Sequence, residues 1–201
     1  MNPSGMNNTP KSVCIYCASS TKTKSVYIDA AQQLAHLLVD NGYGIRYGGG
    51  SVGLMGAIAD TVLTKGGKIT GVIPRFMVEV EWQHPHVADM LIVETMAERK
   101  QLLIQGVDAI IALPGSTGTL EELVEVLSLK KLKQINIPIV IVNTNGFFTP
   151  LINMLQQMVN EEFMHHSNLQ IYNVVEEPSQ IFEAIAMMNH ASTNQIQQVT
   201  I

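Results

Sequence analysis

Residues 108–132 read DAIIALPGSTGTLEELVEVLSLKKL. The run AIIAL is apolar without alternation, as a strand covered by helices on both faces should be. It stops at Pro114-Gly115, and a long helix begins at once. A buried strand, a tight turn and a helix form the repeating unit of a parallel sheet whose connections cross over its faces.

The same unit recurs outward from this stretch. Upstream, a strand is expected at 12–16 and a helix through YIDAAQQLAHLLVDNG, closed by Gly42. A short strand at 44–47 runs into the glycine cluster 48–53, followed by a helix over about 54–64. KITGVIP reads as a strand ended by Pro74, and residues 75–86 as an irregular loop over a site. DMLIVE is the next strand, and TMAERKQLLIQG a helix with Thr95 as its N-cap. Downstream, IPIVIVN and LQIYNVV read as strands. Helices follow over about 148–163 and through PSQIFEAIAMMNH, with Pro178 in the first turn. The fold class is therefore α/β, a doubly wound sheet of mainly parallel strands with helices on both faces. Residues 1–11 are expected to be disordered, 12–191 to form one domain, and 192–201 to be a flexible tail.

Composition narrows the function. Of 201 residues, 46% are hydrophobic and 14% charged, enough to bury a substantial core. A formal net charge of −5 argues against a nucleic-acid binder, which needs a basic face. It leaves room for a small anionic ligand. No segment approaches the ~18–20 apolar residues of a membrane span. The polar start MNPSGMNNTPKS lacks the order of a signal peptide, so a cytoplasmic protein is expected. Cys14 and Cys17 form a C-x-x-C on a strand, where residues three apart face opposite sides and cannot bridge. Two ordinary thiols are expected. His84, His86, His165 and His166 lack a partner set for a metal and read as surface or loop histidines.

Ligands of an open parallel sheet bind beyond the carboxyl ends of its strands. Two turns fall there. GGGSVG (48–53) follows the second strand, and PGSTGT (114–119) follows AIIAL. Each opens a helix, whose unpaired N–H groups and dipole attract an anion such as phosphate. The first turn matches G-x-G-x-x-G, but a dinucleotide site wants it after the first strand, with an acid ~20 residues on. At that distance the chain reads GGKITGVIPRF. Neither turn continues into the Lys-Ser or Lys-Thr of a Walker loop. Beside the turns stand Arg99 and Lys100 near one helix start and Glu121 and Glu122 in the first turns of another. Consecutive helical residues point ~100° apart, so one glutamate alone can aim at the cleft.

The motifs GGGSVGLMG, MAERK and PGSTGTLEE, in this order, resemble the "lonely guy" family of cytokinin-activating phosphoribohydrolases, often labelled lysine-decarboxylase-like. The similarity covers about residues 12 to 165, from CIYCASS through GFFTPLINML. The resemblance implies a Rossmann-like fold, a homodimer, and hydrolysis of a nucleoside 5′-monophosphate, AMP or N6-modified AMP, to free base and ribose 5-phosphate. It makes Arg99 and Glu122 the catalytic pair, with Glu121 as the alternative carboxylate. It places Ser19, Gly49, Gly50, Gly53, Met96, Lys100, Gly115, Ser116, Thr117, Gly118, Thr119 and Glu121 around the substrate, with no cofactor and no metal. Met55, beside Met96, is a further candidate for an apolar wall, although methionine on a helix is more often plain core. Two positions depart from the family pattern: Ser116 stands where a glycine is usual, and Ala97 where a histidine is usual. Both bear on substrate preference. The decarboxylase label would need a lysine joined to pyridoxal phosphate, and no lysine here is singled out for it. The alternative from another class is a non-catalytic nucleotide or molybdenum-cofactor carrier of similar fold.

Overall fold

The computed structural model describes residues 11–78 and 83–198, with side chains described up to residue 190. The expected disorder at the N-terminus lies almost wholly outside them. Seven parallel strands form one sheet: β1 (Ser12–Tyr16), β2 (Gly44–Tyr47), β3 (Ile69–Pro74), β4 (Asp89–Val93), β5 (Ala109–Ala112), β6 (Ile139–Val142) and β7 (Asn173–Val175). Their order across the sheet is β4-β3-β2-β1-β5-β6-β7. The chain thus builds outward from β1 in one direction, then returns to β1 and builds outward in the other. This puts the topological switch point between β1 and β5, where a ligand crevice opens.

Six α-helices lie among the described residues: α1 (Ser25–Asp40), α2 (Gly53–Thr64), α3 (Met96–Ile104), α4 (Thr117–Lys131), α5 (Thr149–Asn160) and α6 (Ile181–Gln198). The alternation within β1 shows the two layers. Val13, Ile15 and Cys17 enter one apolar cluster with α1, α2 and α6, and Cys14 and Tyr16 enter the other with α3 and α4. Cys14 and Cys17 are free, buried and on opposite faces, as their spacing predicts. The central strands β5 and β6 are buried at every residue, which is why their sequences show no polar alternation.

Two expectations are corrected. The last strand does not start at Leu169, because residues His166–Gln170 form a 3-10 turn and pairing with β6 begins only at Asn173. Ile171 and Tyr172 instead pack on the second cluster without joining the sheet. His84, read as a surface or loop histidine, does lie in a loop but not at the surface: it is 3% exposed, and its Nε2 lies 3.2 Å from Asp60 Oδ1 on α2. His86, His165 and His166 are exposed. α6 carries the backbone to Gln198, through most of the stretch expected to be a tail.

Candidate active site

Three turns meet at the carboxyl rim. Beyond β1, Ala18 N donates to Pro114 O (3.2 Å) and Leu113 N to Tyr16 O (2.9 Å), so β1 and β5 stay joined past their ends. Met55 N, in the first turn of α2, donates to Ala18 O at 3.2 Å. The loop bearing Ser19 is thereby held between the glycine turn and the PGSTGT turn. On Gly53, a Cβ would lie 2.6 Å from Ser20 O and 2.7 Å from the Ser19 carbonyl carbon. The two backbones touch, and this contact accounts for the glycine.

The segment after β3 folds back on the same turn. Gln83 bridges Gly50, and His84 N donates to Gly49 O at 3.0 Å. Gly48, Gly49 and Gly50 are buried among protein atoms. Gly49 packs toward Ile73 and Met90, while Gly48 faces Arg99 and Met55. The first turn therefore makes room for protein as well as lining the rim. Of the expected loop over 75–86, residues 79–82 lie outside the described residues.

Arg99 is carried to this place by α3. The helix opens with a capping box: Glu98 N donates to Thr95 Oγ1 (3.1 Å) and Thr95 N to Glu98 Oε2 (3.3 Å). Arg99 is 5% exposed and runs inward over β3 and β2. Its Nε donates to Val72 O at 3.2 Å and its Nη2 reaches Gly48 O at 3.5 Å. Its Nη1 lies 3.6 Å from Glu122 Oε1. Glu122, 7% exposed, comes from the second turn of α4. Burial pushes the Cys14 thiol and the Tyr16 phenol well above their ordinary ranges, and the Glu122 charge acts in the same direction on both.

Glu121 points elsewhere. It is exposed, and its Oε1 accepts from Lys100 Nζ at 2.7 Å. Lys100 also lies 2.9 Å from Glu125 Oε2, one turn along α4. The 100° step along each helix separates a buried pair, Arg99–Glu122, from an outer one, Lys100–Glu121. Ser116 is the N-cap of α4, yet its hydroxyl makes no cap hydrogen bond. Ser116, Thr117 and Gly118 are exposed at the rim, and a Cβ on Gly118 would meet nothing within 4 Å. Thr119 is buried against Gly115, where any Cβ would run into its side chain. Met96 is half-buried at the start of α3, and Met55 belongs to the core. The sequence reading missed Glu125 and the Asp60–His84 pair. Glu125 was legible in principle, because it stands four residues after Glu121 on the same helical face.

Fold and site together define a Rossmann-like α/β protein with a buried arginine–carboxylate pair beside two helix-opening turns at its switch point. The family described as "Possible lysine decarboxylase" matches residues 55–185. A cytokinin riboside 5′-monophosphate phosphoribohydrolase of Arabidopsis thaliana is 40% identical over 152 residues, covering 76% of this chain and 71% of that protein. Another from the same plant is 36% identical over 162 residues, covering 81% and 71%. Among solved structures, the molybdenum cofactor carrier protein of Chlamydomonas reinhardtii aligns with a TM-score of 0.68 at 15% identity, over 90% of this chain and 99% of that one. A molybdenum cofactor binding protein of Rippkaea orientalis aligns at 0.64 and 20%, over 89% and 97%. Those two likenesses concern the fold. The chain belongs to the lonely-guy family of phosphoribohydrolases, the family that bears the lysine-decarboxylase description.

Proposed function

We propose that this protein is an N-glycosidase that hydrolyses a nucleoside 5′-monophosphate, AMP or N6-modified AMP, to free base and ribose 5-phosphate. The observation that carries this reading is the buried Arg99–Glu122 pair, 3.6 Å apart, at the rim where the anion-attracting start of α4 also lies. Relatives sharing 36–40% of the sequence bear the name of this activity.

Breaking the C1′–N bond leaves its electron pair on the base and positive charge on the sugar ring. Glu122 stabilises that charge and takes a proton from the attacking water, whose hydroxyl goes to C1′. A proton from solvent completes the departing base. Arg99 is already anchored through Nε on Val72 O and Nη2 on Gly48 O, with Nη1 3.6 Å from the Glu122 carboxylate. Its role in this reading is to keep that carboxylate aimed, with the phosphate resting on the free N–H groups of residues 115–119. The Ser116 hydroxyl, unused as a cap, adds a donor there.

The solved structures named for a molybdenum cofactor support a carrier reading only at the level of fold. The lysine-decarboxylase description fits the chemistry poorly. A Schiff-base lysine must lose its proton, yet hydrogen bonds to Glu121 and Glu125 raise the pKa of Lys100. Lys130, lowered by burial to about 8, lies at the far end of α4 and donates to Ile137 O. No described helix is long and apolar enough to cross a membrane, and a cytoplasmic protein remains our reading. Exposed Leu120 and Val124, one turn apart on α4, support pairing of two copies in a homodimer.

The direct test incubates purified protein with AMP, N6-isopentenyl-AMP, GMP and CMP and follows base and ribose 5-phosphate by chromatography. Release from the adenine nucleotides is expected. Binding of AMP without cleavage of any monophosphate would replace the hydrolase with the carrier. Gly48→Ala checks the arginine. Its Cβ would stand 2.5 Å from Arg99 Nη2 and 3.0 Å from Met55 Cε, both ends of flexible side chains. The variant is expected to fold and to lose about tenfold in kcat, because a displaced guanidinium misaims Glu122. Unchanged kcat would show that the arginine tolerates the shift.

A further inference from the structure

Helix α3 carries Arg99, and its apolar anchorage is gathered at its C-terminal end, where Leu103 is buried and Leu102 and Ile104 pack partly buried on the second cluster. Of its first turns only Arg99 is buried. A surface helix ordinarily docks by a continuous apolar stripe. Here polar ties fix it in three places. The capping box holds its start. At its end, Arg46 Nη1 on β2 donates to Leu102 O and Gln105 O, both at 2.6 Å. On its flank, Lys100 Nζ sits 2.7 Å from Glu121 Oε1 and 2.9 Å from Glu125 Oε2.

The third tie runs to α4, the helix that bears Glu122. Glu121 and Glu125 are four apart and so share a face of that helix, with one ammonium seated between them. The Lys100 side chain is 21% exposed, while Glu121 and Glu125 are 53% and 36% exposed, so the contact stands at the surface end of the site. Lys100 follows Arg99 directly, and Glu121 directly precedes Glu122. The outer contact therefore joins the same two helical turns as the inner pair.

We infer that Lys100, seated between Glu121 and Glu125, is a positioning residue that sets the distance of α3 from α4 and with it the Arg99–Glu122 geometry. Its kinetic consequence rests on the hydrolase reading; its structural consequence does not. Ion pairs near the surface add little to global stability. Small displacements of reacting groups, in contrast, can cost up to ~100-fold in rate. The latch is thus felt in catalysis more than in folding. A lysine that gripped substrate would be felt in KM.

The test uses the full chain with Lys100→Met, Lys100→Arg and Glu125→Gln, measuring kcat and KM for AMP, Tm, and amide hydrogen exchange along the sequence. For Lys100→Met, kcat should fall about tenfold with KM within about twofold, the pattern of lost positioning. Lys100→Arg should restore most of kcat, since its fork spans two carboxylates. Glu125→Gln should lower kcat about threefold even though Glu125 lies a turn behind the rim. Exchange should rise across residues 96–104 in Lys100→Met, with the core strands unchanged. Higher KM at unchanged kcat in Lys100→Met, or a silent Glu125→Gln, would overturn the inference. If the wild type cleaves no monophosphate, the hydrolase reading fails alone. Exchange over 96–104 then decides the latch: a rise supports it, and none removes it.

Discussion

Glu122→Gln is expected to abolish base release from AMP, lowering kcat by about 10³-fold, while AMP binding weakens by less than about threefold. The substitution keeps the shape of the buried side chain. It removes the negative charge that faces the sugar and the base that accepts a proton from water. It also leaves the buried Arg99 without its anionic partner. Breaking such a pair is destabilising by on the order of 3 kcal/mol. The carbonyls of Val72 and Gly48 continue to accept from the guanidinium and reduce that cost. Kinetics should therefore be read well below the Tm of the variant, with far-UV circular dichroism confirming the fold. Glu121→Gln alongside decides which carboxylate acts. Exposed and bound to Lys100, Glu121 should cost no more than about fivefold, through the placement of α3. If Glu122→Gln keeps a tenth of the activity while Glu121→Gln loses it, the assignment is reversed.

The assignment of Arg99 and Glu122 came from motif resemblance, and residue spacing alone could not have supplied it. Strand existence was legible locally: VCIY, AIIAL and IPIVIV are apolar on consecutive residues because helices cover both faces of the sheet. Thr95 announced the start of α3 as its N-cap, and the structure adds Glu98, which closes a capping box on both sides. The order of strands was not legible, because every strand–helix unit looks alike in sequence. Only the return of β5 to β1 makes the crevice. LQIYNVV misled because Ile171 and Tyr172 are partly buried by packing on the second cluster, which gives the composition of a strand without its pairing. His84 misled for a related reason. Its partner Asp60 is 24 residues away on α2, a proximity no local pattern carries. The glycine cluster was read as a helix-opening turn for an anion, with Gly49, Gly50 and Gly53 beside the substrate. Half of its reason is internal, since Gly48 yields to Arg99 and Gly53 to the loop after β1.

That division can be measured, because two glycines of the rim should answer in opposite ways. Gly53→Ala is expected to be severely destabilising. Gly53 holds φ at +61°, where an L-residue is strained by about 1–2 kcal/mol. Its Cβ would also press on Ser20 O at 2.6 Å, the Ser19 carbonyl carbon at 2.7 Å and Ser20 N at 2.9 Å. All three are backbone atoms, fixed by the bonds that join Ala18 to Pro114 and Met55, so no side chain can swing aside. Overpacking of that kind adds about 1–3 kcal/mol, for a total on the order of 2–5 kcal/mol. At about 2–4 °C per kcal/mol for a chain of this size, Tm should fall by about 4–20 °C. Gly118→Ala should leave Tm unchanged or slightly higher, because its Cβ meets nothing and alanine favours the first turn of α4 by about 0.5–1 kcal/mol. Its cost should appear in KM for AMP, raised about tenfold by a methyl group in the space over the helix start where the phosphate is proposed to rest. A stable Gly118→Ala with unchanged KM would move the phosphate off α4. A Gly53→Ala that melts with the wild type would mean that the loop after β1 yields, and with it the rigidity that holds Ser19 at the rim.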